Sequence, residues 1–268
     1  MLNTEFNSKK FRLSKAGKLG ARKCYALYGN PGTLDGRSKG GINSCLKQQK
    51  DVTDGKISGF VTRKRVSLPK HSNKLAEIVG IILGDGCISK FQVFTYSSAK
   101  VDKEYATHIS TLLQDLFKVN VTRSKLRNNT ITHVISSREI VEFFNKMGLK
   151  AGDKIRNNIS IPEWVLKNNE YLRACLKALF DTDGCIYYHR HSIGGREYND
   201  IGWEFRNYNR NLLCEFHNFL LRTGHRSKLG KGRVSLYNRN DIHRYFREIG
   251  SSNPKHVKRY IDYFEKLK

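Results

Sequence analysis

Apolar residues recur at helical spacing over 75–83 and again over 172–180, and both runs are apolar almost all round, which predicts two buried helices. Behind the first run, residues 91–97 alternate as a strand does, and 105–117 return to helical spacing with Leu112, Leu113 and Leu116 apolar. A strand at 130–136 and a helix at 140–147 follow. Behind the second run the same reading gives a strand at 201–206, a helix at 212–221, a strand at 233–237 and a helix at 242–249. Helices mixed with locally connected strands predict an α+β protein with antiparallel sheets. Residues 1–72 show little apolar periodicity. Only 14–28 reads as helix there, Gly29-Asn30-Pro31-Gly32 is a turn signal, and Gly36-Arg37-Ser38-Lys39-Gly40-Gly41 reads as a flexible basic loop.

The two patterned stretches are copies of one unit. Asp85-Gly86-Cys87-Ile88 ends the first apolar run and Asp183-Gly184-Cys185-Ile186 ends the second, 98 positions later. Arg123-Ser124-Lys125-Leu126 recurs at Arg226-Ser227-Lys228-Leu229, and Phe144 to Gly148 recurs in kind at Phe246 to Gly250. Three matches in one order at nearly constant offset mark a duplication. The expected organisation is a basic arm at 1–72, a first repeat at 73–160 and a second at 161–268.

Charge narrows the partner. There are 49 Lys and Arg against 24 Asp and Glu, a net charge of +25. A surplus of that size opposes compaction unless a polyanion compensates it, and counterion release favours nucleic acid. No apolar run approaches the roughly 20 residues that cross a bilayer, and no basic amphipathic helix argues for a membrane surface. The six cysteines form no CxxC pair and read as thiols of an intracellular protein, in a prokaryotic cytoplasm or an organelle. Residues 1–20 are basic with Glu5 the one acid, a composition that transit peptides share.

The two apolar helices carry a matching stripe of small residues at steps of four. Ala76, Gly80 and Gly84 lie on one, and Ala174, Ala178 and Thr182 on the other. Small residues let helix backbones approach closely, so the stripes are expected to face each other. Packed in the same sense, the helices bring Asp85 and Asp183 side by side about a pseudo-twofold axis. Two close carboxylates call for a cation, and hard oxygen donors suit Mg²⁺ or a similar ion such as Mn²⁺. Cys87 and Cys185 are expected to pack beneath that site.

Residues 78–86 (Ile-Val-Gly-Ile-Ile-Leu-Gly-Asp-Gly) and 176–184 (Leu-Lys-Ala-Leu-Phe-Asp-Thr-Asp-Gly) resemble two copies of the LAGLIDADG motif of homing endonucleases. The resemblance covers about 73–268 and implies two αββαββα units whose sheets form a DNA-binding saddle. It implies a staggered double-strand cut at a long asymmetric site, with Asp85 and Asp183 as catalytic metal ligands and the carbonyls of Gly84 and Thr182 assisting. The sixth motif position is Leu83 in one copy and Asp181 in the other, and Asp181 is expected to bond at the helix end rather than to a metal. Relatives place a Lys or Gln near the metals, for which Lys125 and Lys228 stand as alternatives. Gln92, Arg206, Asn207 and Arg233 are candidate DNA contacts from the sheets, and Arg37 and Lys39 from the arm. With both repeats in one chain, a monomer is expected. An RNA maturase that assists splicing and a DNA-binding regulator that does not cut are the alternatives. Intact acids in both copies favour cleavage, and the lack of splicing blocks with a terminal nucleophile disfavours an intein.

Overall fold

The computed structural model describes residues 2–30, 32–56, 66–125, 129–154 and 156–265, with side chains from residue 15 onward except that of Lys125. The chain divides into two units, Met1–Arg63 and Lys64–Lys268. The first holds helices α1 (Leu2–Tyr28) and α2 (Leu34–Thr53). Both correct the sequence reading, which gave only 14–28 as helix and placed a loop at 36–41. Thr33 caps α2, its side chain accepting from Gly36 N, with Asp35 in the first turn and an Asp35–Lys39 ion pair of 2.8 Å along it. A cap, an N-terminal acid and an i,i+4 pair stabilise a helix through glycines that periodicity alone would leave as loop. Among its described side chains this unit buries little: Arg37 and Lys39 are exposed on α2.

The second unit contains both repeats. The first runs α3 (Asn73–Leu83), β1 (Gly86–Ile88), β2 (Gln92–Ser98), α4 (Lys103–Phe117), β3 (Thr122–Lys125), β4 (Thr130–Ser136) and α5 (Arg138–Lys146). A short helix, α6 (Glu163–Leu166), leads to the second. That repeat runs α7 (Asn169–Asp183), β5 (Gly184–Ile193), β6 (Arg196–Arg206), α8 (Arg210–Arg222), β7 (Lys228–Gly230), β8 (Arg233–Leu236) and α9 (Arg239–Glu248), and α10 (Pro254–Glu265) follows. Each repeat folds its strands into one antiparallel sheet, in the orders β1-β2-β4-β3 and β5-β6-β8-β7, so the αββαββα expectation holds in both. Each sheet covers its inner face with its own helices: Phe117, Phe143 and Phe144 meet edge to face in the first repeat, and Phe180 stacks on Trp203 at 4.8 Å in the second.

One strand is much longer than its pattern. Residues 184–200 show no clean alternation because the outer half of the hairpin is exposed on both faces, yet β5 and β6 pair from Gly184–Phe205 out to Ile193–Arg196. Gly194 and Gly195, with φ of 57° and 79°, close it in a two-residue turn. Two consecutive positive φ values belong to the type I′ turn, which matches the strands' twist and which glycine adopts without strain.

Helices α3 and α7 pack along the two small-residue stripes. A Cβ built on Gly80 would overlap the Cys175 carbonyl oxygen and lie 2.8 Å from the Ala178 Cβ, and one on Gly84 would overlap the Thr182 hydroxyl. Helix propensity alone makes Gly80→Ala stabilising by about 1 kcal/mol, whereas overpacking costs about 1–3 kcal/mol. We expect the overlap with backbone to win, lowering the melting temperature by roughly 2–8 °C. A rise in thermal unfolding experiments would show that the helices are not in contact at Gly80.

Candidate functional site

Both motif helices end at the same level, and each runs straight into the first strand of its own sheet. Close approach dictates the glycine that follows each acid: a Cβ on Gly86 would overlap the backbone of Ile82, and one on Gly184 the ring of Phe180. Asp85 lies in the turn after α3, its carbonyl accepting from Tyr96 N at 2.9 Å, and Asp183 is the last residue of α7. A cleft of about 450 Å³ opens there, lined among others by Gly84, Asp183, Lys154, Arg206, Asn207 and Lys231.

The two carboxylates feel each other. Burial first, and then the charge of Asp85, pushes Asp183 up to about 7, with Asn207 and Lys154 opposing. Burial likewise raises Asp85, against Lys154 and, less strongly, Lys255. Asn207 Nδ2 donates to Asp183 Oδ2 at 2.9 Å, and its own Oδ1 accepts from Asn209 N at 2.8 Å, so the amide is held in place while it orients the acid. Among the described residues neither carboxylate is in a direct ion pair within 4.0 Å.

The basic group that the structure brings to this place is Lys154, which the sequence reading did not select. Its ammonium donates to the carbonyls of Ile82 at 3.1 Å, Leu83 at 3.0 Å and Gly84, the open carbonyl end of α3. Burial pulls its pKa down while Asp183 and Asp85 raise it. A cation is therefore already drawn to the spot where a helix C-terminus and two acids converge. Lys255 is its near counterpart in the second repeat, paired with Asp102 at 2.9 Å. A usable signal existed: Lys154 and Lys255 follow the equivalent glycines Gly148 and Gly250 by six and five positions.

Arg206 apart, the remaining candidates fall outside the cleft lining. Ala76 and Ala178 are fully buried and Ala174 partly so. Thr182 turns its hydroxyl to its own helix, donating to Leu179 O at 2.9 Å. Lys228 lies 5.5 Å from the centre of the Tyr237 ring, and the side chain of Lys125 is outside the described residues. Arg206 and Arg233 are exposed on the second sheet and both bond Glu204. Gln92 Nε2 donates to Ser136 Oγ at 2.8 Å across the first sheet. Asp181 is buried and accepts from Ser251 Oγ and, at 2.8 Å, from Ser252 N, fastening the segment that leads to Lys255. Cys185 does not pack beneath the acids: alternation turns Ile186 inward and leaves Cys185 exposed opposite Glu204.

In the metal-free protein the Asp183 charge opposes folding. Its folded value of about 7 stands above the ordinary carboxylate value of 3.8, so the native state binds more protons between those limits and stability falls as pH rises through them. Asp183→Asn should therefore stabilise the metal-free protein at pH 8, by at most about 4 kcal/mol and with a clear rise in melting temperature, and hardly change it near pH 4. Calorimetry at the two pH values checks this, and an equal effect at both would remove the charge explanation.

Two sheets flanking a close helix pair, with an acid at each helix end, define the fold of the two-repeat meganucleases. Over 73% of its length the chain resembles a single-residue lysine-to-alanine mutant of I-SmaMI (TM-score 0.51, 13% identity, 90% of that chain). Over 74% it resembles meganuclease I-SmaMI bound to uncleaveable DNA (TM-score 0.50, 14% identity, 89% of that chain). Residues 170–250 match the family described as "LAGLIDADG-like domain". The second repeat therefore carries a LAGLIDADG-like domain, and the two-sheet fold of the second unit is that of the LAGLIDADG meganucleases. The chain is also 34% identical over 129 residues, 46% of its length, to the replication factor C small subunit of Methanocaldococcus jannaschii. It spans only 6% of that protein and 12% of other curated relatives, among them an A-type ATP synthase subunit of Pyrococcus abyssi. Among the described residues no helix is long and apolar enough to cross a membrane.

Proposed function

We propose that this chain is a site-specific endonuclease that makes a staggered cut in double-stranded DNA at a long asymmetric sequence by divalent-metal-dependent hydrolysis. The observation that carries the reading is one cleft lined by Asp183, Lys154, Arg206 and Lys231, with Asp85 close enough for its charge to raise the Asp183 carboxyl, on a fold shared with a meganuclease bound to DNA. The donor set fits a hard cation. Among the described residues no group of three or more His, Cys, Asp and Glu is gathered, so the two carboxylates would be the protein's side-chain share, with carbonyls, water and substrate phosphates available to complete the shell. Mg²⁺ is bound in that way, through one or two carboxylates with waters retained. When bound, such an ion supplies a polarised scissile phosphate, a water acidic enough to attack it and charge for the leaving oxygen.

The chain's own residues do the rest. Asp85 and Asp183 hold the cation, and Asn207 fixes the rotamer of Asp183. Lys154, anchored on three carbonyls of α3, sets a positive charge where a pentavalent phosphate gathers negative charge. Arg206 and Lys231 line the cleft to hold flanking phosphates. The net charge of +25 draws the duplex in and makes binding salt-dependent. Because the repeats differ outside their motifs, the two half-sites differ. Arg37 and Lys39, exposed on α2 of the basic unit, would add contacts to the DNA backbone.

The reading is tested by selecting bound duplexes from a randomised library in EDTA, with structured intron RNA as competitor. Enrichment of one long asymmetric duplex, retained against RNA, supports it. No enrichment, with RNA displacing all DNA, would replace it with the maturase reading.

A further inference from the structure

The outward faces of the two sheets carry different chemistry. In the second sheet Ile186, Trp203, Phe205, Val234 and Leu236 are buried against the helices. The alternate positions therefore point outward, where register sets Arg206 opposite Arg233 and Lys228 beside Ser235. All three cations are exposed, and Glu204 bonds both arginines and holds their guanidinium groups over the sheet. The same face continues along the hairpin through His189 and His191 to Arg196.

In the first sheet Ile88, Val93, Ile131 and Ile135 turn inward. The outward rows join Thr122, Val134 and Phe94, and next to them Ser124, Thr132 and Tyr96. Among the described strand residues this face has no Lys, Arg, Asp or Glu. A chain with 49 basic residues has thus left one of two equivalent faces neutral and armed the other with arginine.

We propose that the two halves of the target are read by different means, an inference that rests on the DNA-binding reading above. The second repeat reads its half-site through Arg and Lys contacts to guanine edges and phosphates. The first repeat reads an A·T-rich half-site, with Phe94, Tyr96, Val134 and the Thr122 methyl against the C5-methyl groups of thymine and exposed hydroxyls such as that of Ser124 bonding base edges. The physical ground is that arginine matches the paired acceptors of guanine, whereas an apolar or hydroxyl face finds its complement in the methyl that only thymine presents in the major groove.

Modified duplexes test this without altering the protein. The intact chain is titrated with its selected duplex in EDTA, with deoxyuridine replacing thymidine or 7-deazaguanine replacing guanine in one half at a time. Deoxyuridine in the first repeat's half should weaken binding about fourfold for each contacted methyl, and 7-deazaguanine in the second repeat's half about tenfold for each contacted guanine. The exchanged substitutions should each change binding by less than about twofold. Arg233→Ala assigns the halves, since it should remove the 7-deazaguanine effect alone. Equal sensitivity of both halves, or indifference to the thymine methyls, overturns the inference while the unmodified duplex still binds. Absence of any preferred duplex overturns the reading beneath it, and the inference falls with it.

Discussion

Asp85→Asn and Asp183→Asn are each expected to abolish cleavage while duplex affinity stays within a few-fold of the original. Losing even an outer partner of a metal ligand typically lowers activity 10–100-fold, so losing one of two primary carboxylates should exceed about 100-fold. The fold should survive, because both acids are charges held half-buried without a direct ion pair among the described residues, and the amide keeps their shape. Single-turnover cleavage with saturating duplex, beside a binding titration and a melting curve, separates the cases. A parallel loss of binding and melting temperature would make the acids structural.

Lys154→Met should have the next largest effect, about 100–1000-fold on the chemical step, which is the magnitude lost with one well-placed electrostatic donor. The methionine stem keeps the packing while the charge leaves the carbonyls of Ile82, Leu83 and Gly84. Affinity for the duplex should change little, since one cation among 49 basic residues is removed. A purely structural lysine would behave otherwise: melting temperature would drop and the rate at saturating duplex would be preserved. The equivalent change at Lys255 gives a useful comparison, because that ammonium is paired with Asp102 and acts on Asp85 less strongly than Lys154 does.

Most of the second unit was legible from its residues because burial there is one-sided or complete. Apolar helices such as α3 and alternating strands such as β2 announce themselves when one face meets a core. The paired stripes of small residues were legible for a related reason, since a repeated Gly or Ala at steps of four has little use outside a close helix contact. What stayed hidden lacked that link to burial. The hairpin beyond Ile201 is exposed on both sides and is written in its Gly194-Gly195 turn instead. Helix α2 is held by a cap and local pairs around glycines that imitate a loop. Lys154 lies in a connecting segment, and its role comes from where the chain carries it, on to the end of a helix 70 residues earlier. Asn207 was read as facing DNA from its place at a strand end, but only the tertiary fold shows its amide bonded to Asp183.

The most direct test of the central claim is incubation of the selected duplex with purified protein in Mg²⁺ and, separately, in EDTA, with both strands mapped at nucleotide resolution. The account predicts a cut on each strand, staggered across the centre of the site, in Mg²⁺ only. An intact duplex in Mg²⁺, bound as tightly as in EDTA by folded protein, would contradict it and leave a protein of meganuclease fold that binds DNA without cutting it.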